Sequence, residues 1–297
     1  MRIIHLSDLH LDNNRCSLTD LRFGRLVREL SSDRYSSDDI LLITGDLIEN
    51  AEHEGAMIHA LNQLGRLSEK FEHILLCPGN HDYGNFWGGT PEHMSRFFHL
   101  FGGFLKSSTS IPEDVYHRSD RPCDSPFPVV NEIGELLLIG LDTMEGEFEE
   151  EIKGSKGDWD WGAEGRLGQR QTSALERLLG RGELKDKKVV VYLHHHPYRN
   201  RLIMNRFRDA KIFNEILGQY GNTNLLLFGH NHKFADMSAE AKKYGAGMAL
   251  EGGSVKNTCW GKARFRVIDM SGSEPEAEEV RISVLQEWWN LIRCRLS

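Results

Sequence analysis

The chain has 297 residues, a length that suits one large α/β domain or two smaller ones. Hydrophobic residues make up 39% of it and charged residues 27%, which is typical of a globular protein and not of a disordered one. The formal net charge of −8 argues against a protein that coats nucleic acid through a basic face, so no extended nucleic-acid surface is expected. An enzyme whose cleft is made positive by bound metal ions stays compatible with this charge.

Neither a membrane segment nor a disulfide framework is predicted. No apolar run approaches the roughly 20 residues that cross a bilayer, and the first apolar run, Ile3–Leu6, is too short for a signal peptide. The five cysteines are scattered and contain no CxxC pair, which indicates free thiols in a reducing compartment. They are Cys16, Cys77, Cys123, Cys259 and Cys294. We therefore expect a cytoplasmic protein without a membrane partner.

Short apolar runs alternate with amphipathic stripes along the chain. Each run has four or five residues and is followed at once by polar residues with Gly or Pro, which favours strands buried on both faces. The stripes have helical spacing. In chain order, the predicted elements are a strand at Ile3–Leu6, a helix around Phe23–Leu30, a strand at Ile40–Thr44, a helix around Ala56–Leu64, a strand at Ile74–Cys77, a helix around Leu175–Leu179, a strand at Val189–Leu193, a helix around Ile212–Leu217 and a strand at Leu225–Phe228. By itself this alternation predicts an α/β layered domain with a purely parallel sheet.

Two stretches break the alternation. Residues 83–128 are rich in aromatic side chains, and residues 145–168 are rich in Gly, Trp and acidic side chains. Both are candidate lids on the substrate side of a site, and solvated insertions are the alternative. No linker divides the chain, so we expect a single domain over residues 1–297. A helix at about 284–296 is expected to pack on this domain or to form a dimer contact.

Side chains that can bind metal follow each of the predicted strands. Asp8 and His10 are two positions apart, so the alternation of an extended chain places an oxygen and a nitrogen donor on one side. Asp46 follows a glycine, which lets the backbone turn sharply, and its carboxylate has two oxygens with which to bridge two cations. The other donors are Asn80, His195, His230 and His232. Since ligands gather at the carboxyl ends of strands in open α/β sheets, we expect one site that binds two metal ions.

The type of donor indicates the type of metal. Mixed carboxylate, amide and imidazole ligands suit Mn, Fe, Zn or Co better than Ca or Mg, and no thiol is placed to select a softer ion. Each residue alone is weak evidence, because a single DxH or Gly-Asp pair occurs by chance in many chains. Five clusters in order, each closing an apolar run, are much harder to explain by chance.

The same clusters carry a family resemblance. Together, and in this order, they resemble the calcineurin-like metallophosphoesterase superfamily, and their spacing looks like the bacterial cyclic-nucleotide and glycerophosphodiester phosphodiesterase branch. They are Asp8-Leu9-His10, Gly45-Asp46, Gly79-Asn80-His81-Asp82, the His-Pro segment at 194–197 and Gly229-His230-Asn231-His232. The resemblance implies a two-sheet mixed β-sandwich flanked by helices, in a four-layer αββα arrangement, in place of a purely parallel sheet. Members of the family often form homodimers.

The resemblance also implies a role for each position. One metal would be held by Asp8, His10 and His232 and the other by Asn80, His195 and His230, with Asp46 bridging the two. In the family's His-x-Pro pattern the ligand lies two residues before the proline, which selects His195 among three adjacent histidines. His194 would then point into the core and His196 toward the pocket, where His196 would bind substrate together with Asn80 and His81.

These groups predict a binuclear metal-dependent phosphoesterase that hydrolyses phosphodiester bonds. Two cations sharing a hydroxide provide a nucleophile at neutral pH and align it for in-line attack. The resemblance places His81 over the phosphate as general acid or charge stabiliser. Asp82 would either orient His81 through a carboxylate–imidazole hydrogen bond or simply stabilise the turn after Gly79-Asn80.

The substrate is expected to be a small phosphate ester, with nucleotides among the candidates. Phe86 and Trp87 follow the Asn80 loop and could stack a base, and Arg199 and Arg201 could pair with a phosphate, although each is more often an ordinary surface or core residue. The first alternative is a phosphomonoesterase or nuclease of the same superfamily, and the acidic balance counts mildly against a nuclease. The second is a binding scaffold that has lost catalysis, although all seven positions carry competent donors.

Overall fold

The computed structural model describes residues 1–13, 17–85, 88–108, 125–146, 163–182, 186–198, 206–255 and 262–283. In chain order its elements are β1 (Arg2–Leu6), α1 (Leu18–Leu30), β2 (Ile40–Thr44), α2 (Glu54–Ser68), β3 (His73–Cys77), β4 (Gly84–Asn85), β5 (Gly88–Gly89), α3 (Pro91–Phe101), β6 (Val129–Ile133), β7 (Leu136–Gly140), α4 (Gly168–Leu179), β8 (Lys188–Tyr192), α5 (Ala210–Tyr220), β9 (Thr223–Phe228), α6 (Ser238–Ala241), β10 (Ala246–Glu251), β11 (Lys262–Asp269) and β12 (Glu276–Ser283). Each strand and helix predicted between Ile3 and Phe228 therefore exists, with ends shifted by a few residues.

The first sheet has the strand order β12-β11-β1-β2-β3. β1 pairs in parallel with β2, and β2 in parallel with β3, so the carboxyl ends of all three strands lie at one edge. Asp8, Asp46 and Asn80 follow these three ends. β11 lies antiparallel to β1, and β12 antiparallel to β11.

The second sheet has the order β10-β9-β8-β7-β6. β7, β8, β9 and β10 run parallel to one another, and β6 lies antiparallel to β7. Both sheets are thus mixed, which confirms the arrangement implied by the resemblance. The purely parallel sheet predicted from strand–helix alternation is wrong. β6 forms an antiparallel hairpin with β7, and β11 forms one with β12, and such hairpins need no crossover helix.

The core lies on both faces of the second sheet. Along β8, Val190 and Tyr192 belong to a cluster shared with the first sheet, whereas Val189 and Val191 belong to a second cluster under α4 and α5. This alternation puts one face against the first sheet and the other against helices. The first sheet is covered in turn by α1 and α2, whose stripe residues, Phe23 among them, are buried in the shared cluster.

Much of the two stretches that break the alternation lies outside the described residues, as does the predicted helix at 284–296. The described part of the aromatic stretch forms β4, β5 and α3, and its Phe97 and Phe101 are buried in the core. Some of these aromatic side chains therefore anchor the fold and do not line a pocket. Among the described residues, no helix combines the length and apolarity that a membrane crossing needs.

Candidate metal centre

The ends of strands from both sheets bring acidic and imidazole side chains together. The described residues contain three groups of possible ligand atoms, and within each group the atoms lie no more than 4.8 Å apart. Asp46 belongs to two of these groups, and the third consists of His10, Glu49 and His81. The first group is Asp8, His10, Asp46 and His232, and the second is Asp46, His194 and His230. Apart from His194, all of these residues are among the ligands expected from the sequence.

The backbone is strained where most of these side chains leave it. Asp8, His10 and Asp46 have φ angles of 52°, 49° and 50°, and His230 and His232 have 74° and 55°. Residues other than glycine rarely adopt positive φ, and each such residue costs about 1–3 kcal/mol when the surroundings force it. Five of them converging on one spot indicate that the fold maintains this geometry for its side chains.

Two glycines allow the loops to approach closely. A Cβ atom on Gly79 would lie 2.2 Å from Asp46 Oδ1, and one on Gly45 would lie 2.4 Å from His194 Nδ1. Gly45 also has a φ of 81°, which L side chains rarely adopt. A side chain at Gly79 would collide with Asp46, and one at Gly45 would collide with His194. Both motifs therefore require glycine at these positions.

The atoms of the first group suit a cation. His10 Nε2 lies 3.0 Å from His232 Nε2 and 3.6 Å from Asp46 Oδ2, and His232 Nε2 lies 3.4 Å from Asp8 Oδ1. Burial lowers the pKa of His232, which favours the neutral imidazole that metals bind. Two facing nitrogens and two carboxylates offer more lone pairs than protons, so the donor set fits a divalent ion.

The second group has the same character. His194 Nε2 lies 3.3 Å from Asp46 Oδ2 and 3.2 Å from His230 Nδ1. Asn80 Oδ1 and His230 Nε2 are buried and have no hydrogen-bond partner in the described part of the chain. Since a buried acceptor left without a partner costs about 1–3 kcal/mol, both atoms are suited to binding a cation.

The charge of Asp46 is stabilised by its neighbours. Burial alone would raise its pKa, but the positive charges of His194, His81 and His10 outweigh burial and hold this pKa well below its usual range. Burial likewise lowers the pKa of His194, yet Asp46 more than offsets this and raises that pKa to about 9. A cation at this position must therefore displace a proton from His194.

The three adjacent histidines have different hydrogen-bond partners, and these partners differ from the sequence prediction. His195 Nε2 lies 3.0 Å from the carbonyl of Ala163, which can only accept, so this nitrogen donates and Nδ1 accepts from the Thr143 hydroxyl at 2.7 Å. His195 is left without a lone pair for a metal. His194 donates from Nδ1 to the Thr44 carbonyl at 2.8 Å, which leaves Nε2 facing Asp46. The structure therefore places His194, and not the expected His195, beside Asp46 and His230.

His196 does not reach the pocket either. Its side chain is fully buried, its ring packs 4.6 Å from the ring of Phe228, and its Nε2 lies 3.7 Å from Glu251 Oε2. A side chain without exposed surface cannot contact a substrate in this conformation. The expected role of His196 in substrate binding is corrected accordingly.

Asp82 holds the loop and does not orient His81. Its Oδ1 accepts from the amides of Leu47 and Ile48 at 2.9 and 3.2 Å, and its Oδ2 accepts from the amide of Gly79 at 2.8 Å. Burial raises the pKa of this carboxyl to about 7. Of the two roles considered from the sequence, the contacts match turn stabilisation, and the catalytic role is corrected.

His81 is held beside the first group of ligands by its neighbours. Its amide donates to Asp46 Oδ1 at 2.9 Å, and its Nδ1 lies 2.6 Å from the Glu49 carbonyl. Because a carbonyl only accepts, Nδ1 carries a proton, and Nε2 is the nitrogen available to a substrate. The ring is half-buried and meets the His10 ring edge to face, with centroids 4.7 Å apart.

Sequence reasoning missed several residues that support the ligands. Ser7 donates to Asp8 Oδ2 at 2.5 Å, and Ser254 donates to the Asp8 carbonyl at 2.8 Å. Glu49 Oε2 lies 3.1 Å from His10 Nδ1. The position of Ser7 directly before Asp8 was an available signal, whereas nothing in the spacing points to Ser254.

The chain is similar in sequence to known phosphoesterases. The family model for calcineurin-like phosphoesterases matches residues 1–234. The chain is 21% identical over 241 residues to the 3',5'-cyclic adenosine monophosphate phosphodiesterase CpdA of Haemophilus influenzae, a match that covers 78% of this chain and 70% of that protein.

Solved structures show the same fold at low identity. A dimetal phosphatase from Danio rerio superposes with a TM-score of 0.62 at 14% identity, over 96% of this chain and 99% of that one. GAP50, the anchor in the inner membrane complex of Plasmodium, superposes with a TM-score of 0.50 at 11% identity, over 96% and 85%. Because the family model matches residues 1–234, this chain belongs to the calcineurin-like phosphoesterase family.

Proposed function

We propose that this protein hydrolyses phosphodiesters at a centre of two metal ions. The observation that carries the proposal is the position of Asp46, whose carboxylate belongs to both groups of ligand atoms. The family is metal-dependent and typically binuclear, which supports a phosphoric ester hydrolase. Mn, Fe, Zn and Co are the candidate metals, because the donors are carboxylates, imidazoles and an amide.

The ligands divide between two positions. In the first, Asp8, His10 and His232 would bind one ion, and in the second, Asn80, His194 and His230 would bind the other, with Asp46 shared between them. When bound, two such cations lower the pKa of a water and neutralise phosphoryl oxygens. The protein itself presents the donors on rigid strand ends, and it fixes His194 through the Thr44 carbonyl.

His81 is proposed to act on the leaving group. Its Nδ1 is engaged by the Glu49 carbonyl, so Nε2 is the atom that would give a proton to the departing alkoxide or stabilise its charge. A histidine in this role must carry the proton on Nε2 before the bond to the leaving group breaks.

The preference for diesters rests on charge and on the relative's activity. Beside the ligand positions, Glu49 adds a carboxylate with 35% of its side chain exposed. Arg199 and Arg201, the candidate phosphate contacts, lie outside the described residues. A diester with one negative charge is repelled less by this carboxylate than a monoester dianion. The related protein of Haemophilus influenzae is named as a cyclic adenosine monophosphate phosphodiesterase, which supports a small diester as substrate.

Two nitrophenyl esters test this proposal directly. In the presence of Mn²⁺, we expect kcat/KM for bis-p-nitrophenyl phosphate to equal or exceed kcat/KM for p-nitrophenyl phosphate. A tenfold preference for the monoester, about 1.4 kcal/mol in transition-state binding, would instead assign the chain to the phosphomonoesterases. Hydrolysis of neither ester by protein that binds two ions would favour the non-catalytic scaffold, and cleavage of DNA would favour a nuclease.

His81→Ala is expected to impair turnover without loss of metal. We expect kcat to fall by about 10²–10⁴-fold for a diester with a poorly acidic leaving group, the usual contribution of a general acid. The loss should be smaller for a nitrophenolate, which leaves without a proton. Metal content is measured in parallel by elemental analysis.

The matched control is His53→Ala, which removes an exposed histidine at the start of α2. It should change neither kcat nor metal content. Equal losses on both leaving groups in His81→Ala would contradict the acid role, and loss of an ion would contradict the placement of His81 outside the ligand set.

The remaining expectations stay predictions. They are a nucleotide among the substrates, a homodimer and a cytoplasmic location.

A further inference from the structure

Glu49 is held in place by a backbone ladder that continues the first sheet beyond its strand ends. The amide of His10 donates to the Asp46 carbonyl at 2.9 Å, and the amide of Leu11 donates to the Leu47 carbonyl at 3.0 Å. The amide of Glu49 then donates to the Leu11 carbonyl at 2.9 Å. The segment that bears Glu49 is thus tied to the segment that bears His10, and their relative position is fixed by main-chain hydrogen bonds.

From this position, Glu49 contacts two imidazoles with different parts of the residue. Its Oε2 lies 3.1 Å from His10 Nδ1, within ion-pair distance although without the alignment of a hydrogen bond. Its carbonyl oxygen lies 2.6 Å from His81 Nδ1. The carboxylate is 35% exposed and the His10 side chain 1%, so rotation of the carboxylate can align the pair while the ring stays fixed.

His194 shows what such a contact does. Its Nδ1 donates to the Thr44 carbonyl, and this sets the ring so that Nε2 faces Asp46. His10 likewise turns Nε2 toward the other ligands, and the acceptor placed at its Nδ1 is a carboxylate. An acceptor behind a ligating imidazole fixes its tautomer and makes the other nitrogen a stronger donor, and a charged acceptor does so more than a neutral one.

We propose that Glu49 is a positioning residue that orients His10 as a metal ligand through its carboxylate and fixes His81 through its carbonyl oxygen. The inference rests on the proposed metal centre and adds a separate role within it. Because the carboxylate lies against His10, which belongs to the first group of ligands and not to the second, its removal should weaken the first metal position and spare the other. The main-chain contact to His81 should survive any side-chain substitution.

A competing role for Glu49 is direct metal binding. His10, Glu49 and His81 each offer one atom within 4.8 Å of the others, so the same three residues could hold a further ion. That arrangement would require His10 to bind ions with both ring nitrogens. It predicts a third ion in the wild type that disappears with the carboxylate, whereas a positioning residue predicts two ions in the wild type and in the variants.

The experiment compares Glu49→Ala and Glu49→Gln with Glu52→Gln. Glu52 is an exposed glutamate three residues further on, and its carboxylate bonds to Asn85. Mn²⁺ affinities of the metal-free proteins are measured by calorimetry, and Co²⁺-loaded proteins are compared by visible absorption. In Glu49→Ala, one of two Mn²⁺ affinities should fall by about 10–100-fold, the usual effect of removing such a partner.

The conservative variant and the spectrum separate positioning from general damage. Glu49→Gln retains an acceptor without charge, so its loss should be smaller than that of Glu49→Ala. The Co²⁺ spectrum should shift in both Glu49 variants, because the donor strength of His10 changes. Glu52→Gln should match the wild type in affinity and spectrum.

Three outcomes would overturn the inference, and each is distinct from failure of the proposed function. Unchanged affinities in Glu49→Ala would show that the carboxylate does not position His10. An equal loss at both positions, with a lower Tm, would indicate a general structural role. Three ions in the wild type and two in Glu49→Ala would make Glu49 a ligand. If the wild type bound no Mn²⁺ at all, the proposed metal centre itself would be wrong.

Discussion

Asp46→Ala is expected to lose both metal ions and at least about 10³-fold in turnover, which corresponds to about 4 kcal/mol. The physical reason is that one carboxylate serves both groups of ligand atoms. Its Oδ2 lies 3.6 Å from His10 Nε2 and 3.3 Å from His194 Nε2. Without this charge, each remaining set of donors faces a dication with one ligand fewer and with less negative charge nearby.

Alanine also removes the acceptor for the amide of His81, so Asp46→Asn is needed beside it. Asparagine keeps an oxygen for this amide but removes the charge and the second oxygen, and it should lose the metals with less effect on stability. Ions per chain are counted by elemental analysis after gel filtration. Two ions still bound to Asp46→Ala would refute the shared ligand.

The matched control is Asp82→Asn, which changes another buried carboxylate on the adjacent loop. Asp82 accepts from three backbone amides and is assigned no ligand role. We expect it to keep two ions and to lower the free energy of unfolding by about 1–3 kcal/mol, because one buried amide loses its acceptor. A metal-free Asp82→Asn would mean that loop geometry, and not ligation by Asp46, decides retention.

Replacing His194 and replacing His195 are expected to have opposite effects. His194→Ala should retain one ion of two and lose about 10²–10³-fold in kcat, comparable to the removal of one preorganised group that stabilises charge. His195→Ala should retain both ions, because its two nitrogens are engaged by Thr143 and Ala163. Instead it should lower the free energy of unfolding by about 2–5 kcal/mol, since a fully buried side chain is deleted.

Elemental analysis and urea denaturation of the two variants check this assignment together. If His195→Ala lost an ion and His194→Ala kept both, the family's His-x-Pro spacing would be the correct guide after all. Loss of stability in His195→Ala without loss of metal is the specific result expected from the structure.

The sequence was a good guide to the site where spacing is local. Asp8 and His10 follow the same strand end. Asp46 follows Gly45, whose φ of 81° is one that residues other than glycine rarely adopt. Such relations involve neighbours along the chain, so they can be predicted without knowledge of the fold. The strands themselves were predictable because both faces of each are buried, which produces continuous apolar runs.

Contacts between distant segments were not predictable in this way. Glu49 meets His10 across 39 positions and Ser254 meets Asp8 across 246, and no local pattern signals either pair. The two carboxylates Asp46 and Asp82 also have the same local setting, each following a short loop after a strand. Only the fold shows that imidazoles lie around Asp46, whereas backbone amides donate to Asp82.

The sequence by itself determined which strand ends carry ligand atoms, whereas the tertiary structure decided which atoms meet. The three histidines after β8 illustrate the physical reason. Alternation places His194 on the same side as Val190 and Tyr192, and His195 on the side of Val191. Since both sides of β8 are apolar, the sequence does not say which one faces the first sheet and Asp46. The packing of the two sheets against each other answers that question, and it selects His194.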